Sequence, residues 1–187
     1  MISRTTETTL NALGLFAISA VLLFAFFDQV VNGELPCPLC LLQRAGFLLL
    51  SIGPVLNIAR GPRASHYGIT ILAGLLGAGF AMRQVLLHIE PGDAGYGTPF
   101  MGLHFYTWAF VVFVFAVAAC AAMLMLRAPE TADESGLTPK PGLFGRLAVL
   151  SVVLMAALNG ASTLLECGFE ACPDNPVSYQ LLSPASL

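Results

Sequence analysis

Five long apolar stretches divide this chain, and each can cross a bilayer as a helix, which takes roughly 20 apolar residues. They cover residues 10–27, 38–59, 67–89, 104–126 and 147–165. The fourth contains no Asp, Glu, Lys or Arg, and the second and third hold one arginine each, Arg44 and Arg83. Of 187 residues, 57% are hydrophobic and 10% charged, whereas soluble domains carry about 25% charged residues. A soluble core cannot absorb that much apolar surface, so lipid is the expected solvent. The expected fold is all-α: a polytopic membrane bundle in one domain, with a four-helix core plus a fifth transmembrane helix. Residues 127–146 are rich in Pro, Gly and charge and are expected to form an exposed loop. The first stretch is expected to be a retained helix and not a cleaved leader. Only Arg4 precedes it, and it continues into Phe26-Phe27-Asp28-Gln29 with no small-x-small cleavage site.

Orientation follows from Lys and Arg in the short connections. Arg4 precedes the first helix, Arg60 and Arg63 follow the second, and Arg127, Lys140 and Arg146 separate the fourth from the fifth. The alternate connections hold only acids: Glu34, then Glu90 and Asp93, then Glu166, Glu170 and Asp174 in the tail. This asymmetry predicts a cytoplasmic N-terminus and, after five crossings, an outer C-terminal tail over 166–187.

Four of the five cysteines fall on the predicted outer side: Cys37 and Cys40 at the start of the second helix, Cys167 and Cys172 in the tail. In a bacterial cell that side is the oxidising one. Cys120 lies mid-membrane and is expected to be a small apolar packing residue. Two cysteines three residues apart at a helix start share nearly one face. The free N–H groups and positive dipole end there stabilise a thiolate, the form that attacks disulfides. Pro38 suits the first helical turn, and Pro36 holds the entering chain extended. A redox role is the favoured reading of Cys37-Pro38-Leu39-Cys40. A structural staple, or half of a zinc site shared with Cys167 and Cys172, are the others. Zinc is disfavoured because the two pairs sit in different contexts with no acidic or histidine support around them.

Arg44 sharpens the redox reading. At about 100° per residue it lies within roughly 60° of both cysteines, one turn deeper than Cys40. A charge at mid-membrane costs roughly 2.5–3.5 kcal/mol on insertion scales. A cation there favours the Cys40 thiolate and can donate hydrogen bonds to a polar head group on the same face. The alternative is a side chain that snorkels to the outer head groups about 10 Å away.

The run Pro36-Cys37-Pro38-Leu39-Cys40-Leu41-Leu42-Gln43-Arg44 resembles the first redox segment of the DsbB family, membrane proteins that reoxidise the periplasmic thiol oxidase DsbA. The resemblance covers roughly 33–108, including Gly102-Leu103-His104-Phe105-Tyr106-Thr107-Trp108. It implies a thiol:quinone oxidoreductase of the bacterial inner membrane. The cofactor would be ubiquinone or menaquinone, and the partner a DsbA-like protein of thioredoxin fold. The chain departs from the family pattern in one respect. There, the second cysteine pair lies in a long outer loop between helices three and four, and the protein ends inside after four helices. Here residues 90–103 hold no cysteine, and the nearest replacement is Cys167-Gly168-Phe169-Glu170-Ala171-Cys172-Pro173. A fifth helix would put that segment on the correct side, and Gly168 and Pro173 favour a mobile, turn-forming loop there. It is read as a shuttle disulfide meeting the soluble partner, or as a staple closing a small loop.

His88, at the outer end of the third helix, matches a family position that meets a quinone oxygen; it is equally readable as an interfacial histidine. Arg83 lies about 140° around the helix from His88 and is expected to pair with Asp28, Glu34 or Glu90. His104 and Trp108 fit an outer interfacial belt. The expected catalytic set is Cys37, Cys40, Cys167 and Cys172, with Arg44 and His88 as quinone-binding residues. Electrons would pass from a dithiol partner to Cys167–Cys172, then to Cys37–Cys40, and leave through Cys40. Two readings compete: a vitamin-K-epoxide-reductase-like quinone enzyme, whose cysteine order would be the reverse, and a non-enzymatic membrane protein with structural or zinc-binding cysteines.

Overall fold

In a computed structural model, residues 2–127 and 141–182 are described. They form α1 (Arg4–Val31), α2 (Pro38–Leu50), α3 (Ile52–Arg60), α4 (Ala64–Leu87), α5 (Phe105–Leu126) and α6 (Leu143–Cys167). Among the described residues there are isolated β-bridges but no strand. Among the described residues, with α2 and α3 taken as one span, five helices are long and apolar enough to cross a membrane. Lys140 and most of the expected exposed loop lie outside the described residues.

The helices outrun their apolar stretches where polar residues cap them. Ser3 accepts a hydrogen bond from the Thr6 N–H at 3.1 Å, and Glu7 lies in the first turn, so α1 starts six residues before its apolar run. The second span, Pro38–Arg60, runs as two consecutive helices parted at Ser51. Pro54 has no N–H to offer the Leu50 carbonyl. The Ser51 hydroxyl instead donates to the Leu48 carbonyl at 2.6 Å, dividing α2 from α3.

Lipid offers no hydrophobic drive between helices, so close packing of small residues and polar pairs does the work. The centre holds Leu22, Phe47, Leu50, Ala81, Phe113 and Met155, with the Phe47 and Phe113 rings stacked at 4.1 Å. Gly77 carries no Cβ because the Phe113 ring occupies that space. Large apolar side chains point outward instead, among them Leu72, Phe115 and Leu150. Gly53 brings α3 against α4, where a Cβ would collide with the His66 carbonyl and the Thr70 hydroxyl. Gly53→Ala is therefore expected to cost about 1–3 kcal/mol, because backbone cannot yield as a side chain does. Thermal unfolding of the purified protein in detergent measures this, and an unchanged midpoint would show that the helices part freely there.

α6 runs parallel to α1: Ser19 meets Ser151 at 2.9 Å, and the Gln29 amide donates to the Ser162 hydroxyl at 2.8 Å. The starts of α1 and α6 therefore share one end of the bundle. Arg127, at the foot of α5, reaches the same end, with Nε 3.4 Å from Glu7 and Nη2 donating to the Pro62 carbonyl at 2.9 Å. The opposite end carries both cysteine pairs and the α4–α5 loop.

Candidate functional site

Pro36 and Pro38 bracket Cys37, which is the N-cap of α2 with extended backbone. Its sulfur accepts a hydrogen bond from the Cys40 N–H at 3.1 Å, so a helix N-terminus does point at the cysteine pair, as the spacing predicts. Cys37 and Cys40 form a disulfide with Cα atoms 5.0 Å apart. Cys37 is buried and Cys40 half-buried. Beneath them lies Gln84 of α4, whose amide donates to the Cys37 sulfur at 3.3 Å and approaches the Cys40 sulfur at 3.6 Å. The Gln43 amide donates to Gln84 Oε1 at 2.7 Å, which fixes the orientation of that amide.

Cys40 opens on a cavity of about 520 Å³ between α1, α2 and α5. Cys40, Gln43, Arg44 and Phe47 form one wall, Val21, Phe24 and Ala25 a second, and Phe105, Tyr106 and Ala109 a third. Phe24 packs edge-on against Phe100 and Phe105, at 5.2 and 5.6 Å between ring centroids. The lining is mainly apolar with a few convergent polar groups, the usual character of a small-molecule site. Arg44 is half-buried and bonded within the bundle. Its Nη1 donates to Gln29 Oε1 at 2.6 Å and its Nη2 to the Ala25 carbonyl at 3.0 Å.

The α4–α5 loop closes over the cysteine entrance. The Tyr96 hydroxyl donates to the Leu35 carbonyl at 2.7 Å, and Glu34 accepts from the Thr98 N–H at 3.0 Å and from its hydroxyl. Burial, then the nearby charges of Glu166 and Glu34, push the Tyr96 hydroxyl above its ordinary pKa. His88 is not part of the cavity wall. It bonds Asp93 at 3.1 Å and stacks on Tyr106, which does line the cavity and also stacks on His104. A hydrogen bond from the Gly95 N–H, then the His88 contact, hold the exposed Asp93 carboxyl below the usual range. Trp108 lines the cavity while its indole donates to the Phe100 carbonyl at 3.0 Å. Arg83 is exposed, and among the described residues it forms no ion pair with Asp28, Glu34 or Glu90.

The second pair, Cys167–Cys172, is a separate disulfide with Cα atoms 4.6 Å apart. Cys167 is buried in the last turn of α6 and Cys172 is half-buried. Gly168, at φ 62°, turns the chain back. The tail is tied down and not a free loop: the Gln180 and Leu181 N–H groups donate to the Glu166 and Leu165 carbonyls, at 3.2 and 3.1 Å. The Gln29 amide also donates to the Tyr179 hydroxyl at 3.0 Å. Gln29 thus joins Arg44 to the tail. Cys120 carries a free thiol in α5.

Gln29, Gln84, Glu166 and Tyr179 belong to this site but were not singled out from the sequence. For Gln84 a signal exists, since polar groups within membrane spans carry function by default, whereas Gln29 and Glu166 fall just beyond the apolar runs 10–27 and 147–165.

These features define a helical membrane protein with a paired-cysteine centre opening on an apolar cavity. Residues 7–97, just under half of the chain, match the family model described as Disulfide bond formation protein DsbB. A Disulfide bond formation protein B from Xanthomonas axonopodis pv. citri (strain 306) is 37% identical over 86 residues, 43% of this chain and 50% of that protein. One from Chromobacterium violaceum is 37% identical over 93 residues, 46% and 56% of the two chains. One from Aromatoleum aromaticum is 33% identical over 86 residues, 43% and 52%. The chain thus spans about half the length of the curated relatives it matches. No solved structure matches. The family match ends before α5, so α6 and the tail cysteines lie beyond it.

Proposed function

We propose that the chain is a protein-dithiol:quinone oxidoreductase of the bacterial inner membrane that generates disulfides. In this reading it reoxidises a DsbA-like protein of thioredoxin fold, with the N-terminus cytoplasmic and the tail periplasmic. The carrying observation is that Cys40, in a disulfide at a helix N-terminus, opens on an apolar cavity with Arg44 one turn below. The cavity suits a quinone head group: aromatic walls for a flat ring, with Gln43 and Arg44 as donors for its oxygens. A quinone bound there supplies an acceptor for two electrons and two protons.

The chain's residues do the rest. The helix terminus and Arg44 favour the thiolate at Cys40, and the Gln84 amide steadies both sulfurs. Cys167–Cys172, at the same end, receives electrons from the soluble dithiol and passes them to Cys37–Cys40 by exchange. His88 acts through the Tyr106 ring, which it backs.

Purified protein, a quinone and a reduced thioredoxin-like dithiol protein should together consume quinone absorbance at the rate the partner's thiols disappear. Partner oxidation without quinone loss would sink the reading. Arg44→Ala is expected to raise the apparent KM for quinone roughly tenfold or more, the worth of a charge-assisted hydrogen bond. Thiol exchange should change less. If only exchange slows, Arg44 tunes the disulfide and does not hold the quinone.

A further inference from the structure

α6 lies outside the family match, yet its buried face is polar where it nears the cysteine centre. Asn159, Ser162 and Glu166 fall on one stripe and are all buried, Glu166 completely. Ser162 receives the Gln29 amide, whose oxygen holds Arg44. Glu166 sits one turn further along the same face. Among the described residues neither of its carboxylate oxygens has a hydrogen-bond partner. A buried carboxylate without hydrogen bonds is costly unless a cation balances it or a proton neutralises it. A cation is nearby: Arg44 is tied to this face of α6 through Gln29 and Ser162 and feels the charge of Glu166 along with those of Tyr179 of the tail and Asp28 of α1. The Tyr96 hydroxyl of the α4–α5 loop, bonded to the Leu35 carbonyl, also lies within reach of the Glu166 charge. Asp28 is only half-buried and is already bonded by the Asn32 amide at 2.7 Å.

We infer that Glu166 is the proton store of the cysteine centre: it balances Arg44 as a carboxylate while Cys37–Cys40 is a disulfide, and takes up a proton when reduction leaves a Cys40 thiolate against the same guanidinium. The inference rests on Cys37–Cys40 being the redox pair. It deepens the proposed function by giving the fifth helix a part in the chemistry. One guanidinium balances one anion, and a second anion beside it would leave a buried charge unpaired. The step closes. A donor dithiol gives two electrons and two protons and becomes a disulfide, and the Cys37–Cys40 bond breaks. One proton stays on the Cys37 sulfur and the other goes to Glu166, while Cys40 remains a thiolate. Reoxidation returns both protons. Glu166 acts through Arg44, so it is a positioning residue that carries a proton.

The test is the pH dependence of the Cys37–Cys40 reduction potential, titrated against a dithiol buffer without quinone. Cys167 and Cys172 are replaced by serine so that one disulfide titrates. Each proton taken up with two electrons contributes about 30 mV per pH unit. Around neutral pH the chain with native Glu166 should show about 60 mV per unit, and Glu166→Gln about 30 mV per unit. Glu166→Asp should restore the steeper slope. The reduced-minus-oxidised infrared spectrum should gain a protonated-carboxyl band that Glu166→Gln abolishes. A one-proton slope with native Glu166, or an unchanged slope in Glu166→Gln, overturns the inference, and the first of these needs no variant at position 166. Failure of quinone turnover with these slopes intact would instead strike the proposed function alone.

Discussion

Serine at Cys40 should abolish quinone-dependent oxidation of a dithiol partner, a loss on the order of a thousandfold or more, as when a covalent participant is removed. Cys40 is the one cysteine that both belongs to the helix-capping disulfide and lines the cavity. The sulfur is replaced by a nearly isosteric hydroxyl, and the Gln84 amide keeps its bond to Cys37 at 3.3 Å. The fold and membrane insertion should therefore survive, which separates lost chemistry from lost structure. Cys37→Ser should be equally inactive, since the disulfide needs both sulfurs. Initial rates of quinone loss at saturating dithiol are the measurement. Turnover near the wild-type rate in Cys40→Ser would remove the centre from the mechanism.

The second large effect is expected at the tail. Cys167→Ser and Cys172→Ser should each reduce oxidation of a protein partner to background, and one of them should trap a mixed disulfide with it. Phe169 stands almost fully exposed between the two cysteines and Cys172 is half-buried, so a partner can reach this pair more readily than the buried Cys37. The same residues report topology. After outer-membrane permeabilisation and reduction, a membrane-impermeant thiol reagent should label the tail in intact cells. Protection until the inner membrane is lysed argues against an outer tail. Normal partner oxidation by both variants would make Cys167–Cys172 a staple, and Cys37–Cys40 would then meet the partner directly.

Much of this protein is legible along one dimension. In lipid, a span is an apolar length, so five runs announce five helices, while caps such as Ser3 and a proline such as Pro54 shape the ends and breaks locally. The cysteine centre is also local. Cys37, Pro38, Cys40 and Arg44 lie within eight residues of one another, and their helical spacing alone puts them on one face. His88 shows where that reasoning stops. Its position along the helix places it at the outer end, but the rotation of α4 leaves it behind Tyr106 and outside the cavity wall.

The sequence by itself determined the number of spans, the helix-start cysteines and the depth of Arg44, because each depends on hydropathy or on spacing within one helix. Only the tertiary structure decided what surrounds them. Gln29 reaches Ser162 across 133 positions of sequence, and Gln84 reaches Cys37 across 47. Nothing in either local pattern names its partner. The physical reason is the solvent. Lipid rewards an apolar face wherever it points, so hydrophobic periodicity cannot say which helices are neighbours. Small-residue contacts and buried polar pairs make that choice, and here they set α6 parallel to α1 and bring Glu166 within electrostatic reach of Arg44.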